Sequence, residues 1–138
     1  MENKQRTDIS TIGEFGLIHR LTENISLRNA STIKGIGDDA AVLDYDNKRV
    51  LVTTDLLLEG IHFDLTYVPL KHLGYKSAVV NFSDIYAMMG QPRQITVSIG
   101  VSARFTVEHL DAIYSGIKLA CERYGVDLVG GDTSASVS

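Results

Sequence analysis

An α+β domain with a mixed sheet packed by helices, sandwich-like in its layering, is predicted by three features of the sequence. Ile95, Val97, Ile99 and Val101 alternate with Gln94, Thr96, Ser98 and Gly100, the period of a strand with one buried face. Leu110, Ile113, Ile117, Cys121 and Tyr124 recur at helical spacing, with Thr106 placed to cap the helix they define. Short β-branched runs separated by turn residues stand between such stripes, and the elements follow in the order α-β-β-α-β-α-β.

From the start of the chain, residues 1–10 are polar and read as a loosely held terminus. Thr11 and Glu14 have capping-box spacing. Phe15, Ile18, Leu21 and Ile25 then make one apolar helix face, whose expected role is packing. Residues 26–34 are polar and read as a loop. A turn at Gly35–Asp39 leads to a strand at Ala40–Leu43, and residues 44–48 read as a hairpin loop. Arg49–Asp55 is nearly all apolar until its end, the pattern of a strand covered on both faces. Residues 70–90 read as a long helix. Ala78, Phe82, Ile85 and Met89 form its core side, Ser77, Asn81, Asp84 and Met88 share a neighbouring side, and Gly90 and Pro92 stop it. A last strand runs over Val126–Val129 and ends in a Gly130-Gly131-Asp132 turn.

The 138 residues suffice for one domain, 1–138, with a real core. With 13 basic against 17 acidic residues the net charge is −4, and no basic patch marks a nucleic-acid partner. No apolar run is long enough to span a membrane, and the N-terminus carries no apolar signal region, so a cytoplasmic setting is expected. Cys121 is the single cysteine; it excludes an internal disulfide and reads as a small buried hydrophobe. The stop at Ser134–Ser138 reads as a cut from a longer protein whose C-terminal domain is absent.

The chemical signal is acidic. Gly37-Asp38-Asp39, Thr53-Thr54-Asp55, Ser83-Asp84 and Gly131-Asp132-Thr133 each set aspartate beside glycine or hydroxyl residues. A carboxylate at the end of a buried strand, such as Asp55, is costly unless paired or metal-bound. Asp84 is a poor helix-interior residue within an apolar stretch. Read singly, each has a plain alternative: Asp55 caps the following loop, Asp84 edges an amphipathic helix, and the others sit in turns. Neither glycine pair matches a dinucleotide fingerprint or a P-loop. Taken together, oxygen ligands without a His/Cys cluster suit magnesium, which takes one or two carboxylates and leaves room for phosphate. Such ions bring a triphosphate to an acidic surface, where phosphoryl transfer needs positioning and charge compensation. His62 lies in the irregular segment Leu58–Asp64 and either faces a ligand or bonds nearby backbone.

Five strings, in order, resemble the thiamine-monophosphate kinase family: Gly13–Ile18, Gly35–Leu43, Thr53–Phe63, Asn81–Gly90 and Gly130–Thr133. The family belongs with aminoimidazole ribonucleotide synthetase and selenophosphate synthetase, so the resemblance implies the fold of that group's N-terminal domain. It implies ATP-dependent phosphorylation of thiamine monophosphate to thiamine diphosphate with several magnesium ions, and a homodimer formed through this domain. It implies metal ligands at Asp39, Thr53, Thr54, Asp55, Asp84 and Asp132. His62 is implied to contact the thiamine phosphate, and Tyr114, Gly131 and Asp132 to bind ATP. Family members continue beyond this terminus, so the fragment alone is expected to be inactive or nearly so. The alternatives are a sister synthetase of the same group, or a non-catalytic dimerisation or metal-binding module.

Overall fold

The computed structural model describes residues 9–135, with the side chains of residues 9–12, 14 and 17 outside that description. The polar terminus, up to residue 8, and the capping-box side chains of Thr11 and Glu14 therefore lie outside the described residues. The elements are α1 (Ile9–Thr22), β1 (Thr32–Lys34), β2 (Ala41–Tyr45), β3 (Lys48–Val52), α2 (Leu70–Ala87), β4 (Gln94–Val101), α3 (Val107–Tyr124) and β5 (Asp127–Ala135). The predicted α+β class holds. Its strands divide between two sheets, an antiparallel β1-β2-β3 and a parallel β4-β5.

The core is built where α2 crosses α3. Ala78 and Phe82 meet Ile113, Ile117, Ala120, Cys121 and Val126 in one cluster, and Ile95, Val97 and Ile99 of β4 pack onto it from the sheet. Both predicted stripes thus face inward, and β4 alternates between exposed and half-buried residues along its whole length. Fully burying an Ile or Phe side chain stabilises by about 1.5–3 kcal/mol. The helices approach closely because Gly74 and Gly116 occupy the crossing: a methyl group on either would collide with the backbone oxygen of Ile113 or Lys71.

Helix ends explain the boundaries. Thr106 accepts a hydrogen bond from the His109 N–H (3.4 Å), and His109 Nδ1 accepts from the Thr106 N–H (3.2 Å), a reciprocal cap for α3. Gly125 closes α3 in the left-handed conformation (φ 66°), which has no Cβ penalty at glycine. Helix α2 stops at Ala87, three residues before the expected end; Met88 is its C-cap and Met89 is left-handed (φ 57°). Met89 is consequently 96% exposed and is not part of the core side.

The first half departs further from expectation. Residues 32–34, read as loop, form β1 on the edge of β2. The hairpin between β2 and β3 turns on Asp46 and Asn47, both at positive φ, as a two-residue type I′ connection requires. Strand β3 ends at Val52, short of Thr53, and it is not covered on both faces: Val50 and Val52 are exposed. The apolar side of α1 is not packed either, with Phe15 85% and Leu21 68% exposed, and Ile25 lies beyond the helix. Gly13 interrupts α1 with a non-helical kink. Apolar periodicity defined a face here, but the described residues supply nothing to cover it.

The last strand runs on through Ala135, so Gly130-Gly131-Asp132 is strand, not turn. A bulge at Val129 shifts the register: Leu128 pairs with Ile95, but Gly130 pairs with Thr96 and Asp132 with Ser98. That extra residue places Asp132 on the exposed face of β4-β5. Without it Asp132 would stand opposite Ile99, on the core side.

Candidate functional site

The chain leaves β3 at Val52 and runs irregularly past the C-terminal turns of α2, so Thr53, Thr54 and Asp55 have no ladder to occupy. Side chains of α2 meet them instead. Thr53 Oγ1 donates to Asp84 Oδ2 at 3.2 Å, and the Asp55 N–H donates to Asn81 Oδ1 at 2.9 Å. Asn81 is itself oriented, since its Nδ2 donates to the Ser77 carbonyl one turn back at 2.9 Å. Asn81 and Asp84 are three residues apart and share a side of the helix. Asp55 and Asp84, remote in sequence, are therefore neighbours.

The electrostatics of that pair are unfavourable as they stand. The Asp55 carboxyl is raised above its ordinary value, first by burial and then by the negative charge of Asp84; His62 opposes the rise in part. Among the described residues neither carboxylate forms an ion pair with Lys or Arg. Two carboxylates, one hydroxyl and one amide oxygen are thus brought together with no Lys or Arg paired to either carboxylate among the described residues. Hard oxygen donors of this kind fit magnesium, which takes one or two carboxylates and fills its other positions with water or phosphate.

The other expected ligands are placed differently. Asp38 is ion-paired with Lys34, which holds its carboxyl below the usual range, and it also accepts the Asp39 N–H at 3.0 Å. Asp39 stays exposed, and its carboxylate makes no hydrogen bond among the described residues. Asp132 accepts from Ser134 Oγ at 3.2 Å on the outer face of β5. Gly131, Asp132 and Tyr114 line one hollow with Val97 and Leu128, so the three residues expected at the nucleotide are brought together. The broad groove lined by Thr53–Ile61 and Asn81 extends to Ser98, the register partner of Asp132. Among the described residues no three His, Cys, Asp or Glu side chains stand close enough to hold one ion between them. The four aspartates are not gathered into one cluster in this chain; two are.

His62 belongs to a loop that closes on itself. Its Nδ1 accepts the Leu58 N–H at 2.9 Å, and its N–H donates to the Leu58 carbonyl at 2.9 Å. The backbone alternative for this residue is therefore met, and the ring also stands near enough to Asp55 to affect that carboxyl. The sequence places Asn81 on the same side as Asp84 but does not mark it as a site residue; the signal is its position one turn before Asp84 on α2.

Residues 37–138 match the family described as AIR synthase related protein, N-terminal domain. The chain belongs to that family. It is 38% identical over 128 residues to the thiamine-monophosphate kinase of Aquifex aeolicus, a match covering 93% of this chain and 40% of that protein. To the thiamine-monophosphate kinase of Bacillus subtilis it is 39% identical over 121 residues, covering 87% of this chain and 37% of that one. Among solved structures it is similar to AaThiL complexed with AMPPCP and TMP, with a TM-score of 0.82 at 37% identity, covering 95% of this chain and 40% of that one. The thiamine-monophosphate kinase of Stenotrophomonas maltophilia K279a follows with a TM-score of 0.60 at 31% identity, covering 91% and 39%. The chain thus spans about two fifths of the length of the relatives it matches.

Proposed function

We propose that this chain is the metal- and nucleotide-binding N-terminal domain of an ATP- and magnesium-dependent thiamine-monophosphate kinase. The observation that carries the reading is the Asp55–Asp84 pair, held in place by Asn81 and Thr53 and, among the described residues, without a Lys or Arg partner. The names of the relatives support the kinase over a sister synthetase, and the neighbour bound to AMPPCP and TMP supports a triphosphate and a thiamine phosphate as ligands.

In this reading Asp55, Asp84 and Thr53, with Thr54, Asp39 and Asp132, hold magnesium, which when bound supplies charge neutralisation for the phosphates. Asn81 fixes the backbone of Asp55, and the Val129 bulge turns Asp132 outward beside the hollow. Tyr114 and Gly131 line the nucleotide side; a side chain at Gly131 would collide with the backbone of Val97, so the strand stays bare there. His62, a donor through Nε2 when neutral, faces the acceptor phosphate. The exposed apolar side chains of α1 and β3 support a homodimer through this domain. No described helix is long and apolar enough to cross a membrane, which is compatible with the cytoplasmic setting proposed here.

Calorimetric titration of the chain with magnesium and then magnesium–AMPPCP tests the proposal. Asp55→Asn and Asp84→Asn should each weaken magnesium binding at least about tenfold, ~1.4 kcal/mol. Unchanged affinity in the double variant would leave both aspartates as ordinary loop and helix residues. An ADP-release assay with thiamine monophosphate should give little or no turnover for residues 1–138 alone; robust turnover would overturn that expectation.

A further inference from the structure

Helix α2 grips the segment between β3 and itself at three points. Asp84 takes the Thr53 hydroxyl, Asn81 takes the Asp55 N–H, and Lys76 Nζ donates to the His62 carbonyl at 2.7 Å. Asn81 and Asp84 share a side of the helix, and Lys76, about two turns before Asp84, reaches the same segment nearer the helix start. The first two contacts place the carboxylates; the third has no part in the site as described above.

The loop that Lys76 holds has little else to fix it. Leu58, Glu59, Gly60, Ile61 and His62 are all exposed, so burial does not anchor them. The loop's own bonds are local: Gly60 N–H to the Phe63 carbonyl at 2.8 Å, His62 N–H to the Leu58 carbonyl, and Leu58 N–H to His62 Nδ1. These bonds are local and open to solvent, so by themselves they neither keep the loop in this shape nor fix where it sits against α2. The Lys76 contact is the polar tie from outside the loop to His62. A ring whose Nδ1 accepts a backbone N–H carries its own proton on Nε2, so loop shape and ring tautomer are linked.

We infer that Lys76 is a positioning residue: its ammonium on the His62 carbonyl holds the Leu58–Phe63 loop against α2 and keeps the imidazole beside Asp55 as the Nε2–H tautomer. This rests on the reading that His62 and Asp55 face one ligand, and it goes beyond that reading by naming what aims His62. The lysine acts through the backbone, so its effect is on the geometry of the ring and not on the charge of the carboxylates.

The test is ring and amide NMR of the 138-residue chain, with Lys76→Met, which keeps the aliphatic stem and removes the donor, and Lys76→Arg, which keeps a donor. In the wild type, the two-bond ring correlations of His62 should report the Nε2–H form, and the Leu58 amide should be protected from exchange. In Lys76→Met the ring signals should move toward the mixed tautomers of a free imidazole and Leu58 should exchange at least about tenfold faster, with the amides of Ala78 and Phe82 unchanged. Lys76→Arg should restore both signals. Unchanged ring signals and exchange in Lys76→Met would overturn the inference. So would a loss that spreads to Ala78 and Phe82 and is not rescued by arginine, which marks a role in holding the helix itself. Magnesium added to the same samples separates this from the functional reading. Shifts at Asp55 and Asp84 in the wild type support that reading whatever Lys76 does, and their absence defeats it while the tautomer result still stands.

Discussion

The two halves of this chain obey the same hydrophobic pattern and fold to opposite effect. In the second half, α2 and α3 cross at Gly74 and Gly116 and close over Phe82, Ile113 and Ile117. In the first half, α1 and β1–β3 carry comparable side chains, among them Phe15, Leu21, Ile33, Val50 and Val52, and leave them exposed. Ala40 is the first-half residue that is buried among those described. An apolar stripe states that a face needs covering, and only a second surface in the right place covers it. The candidate site is at the join. Thr53 and Asp55 come from the exposed half, Asn81 and Asp84 from the packed half, and polar bonds across the join hold two metal-ligand candidates together.

Substitutions should divide along that contrast. The largest effect is expected at Ile117, 1% exposed: Ile117→Ala should cost about 2–5 kcal/mol in urea unfolding, with the denaturant slope unchanged. Gly116→Ala comes next, at about 1–3 kcal/mol or more, because the new methyl meets the Lys71 backbone and neither helix can yield without opening the core. A cost near zero there would mean that the helices are further apart than described. Asp55→Asn should act in the other direction. The folded chain binds the Asp55 proton more tightly than the unfolded chain, since burial and Asp84 raise that carboxyl. Stability from this group is therefore present in acid and is lost as pH rises through the carboxylate range toward the raised value. Metal-free Asp55→Asn should melt above the wild type at neutral pH, with the gap closing in acid. The smallest effect is expected at Leu21: Leu21→Ala should stay within about 0.5 kcal/mol in the monomer. A large cost would show that α1 is covered in solution, and a cost that grows with protein concentration would place that cover on a second copy.

Much of the packed half was legible in the sequence. The stripes of Ala78 and Phe82 and of Ile113, Ile117 and Cys121, the alternation of β4 and the Thr106 cap all rest on local spacing, which survives in the fold. The errors share one cause. The covering of β3 and α1, the Gly130-Gly131 turn and the end of α2 at Gly90 each required knowing what lies beside the segment. Gly-Gly-Asp resembles a turn until β4 provides a partner for it. At the site, the spacing of Asn81 and Asp84 was readable, whereas Lys76 had no meaning until the loop at His62 lay against it.

By itself the sequence determined the α+β class, the helix faces and the residue types suited to an oxygen-ligand site, because these depend on chemistry within a few residues. Tertiary structure alone decided that Asp55 meets Asp84, that a one-residue bulge turns Asp132 outward, and that Phe15, Leu21, Val50 and Val52 stay exposed. Those outcomes depend on the distance between parts of the chain that are remote in sequence, and no local pattern encodes that distance.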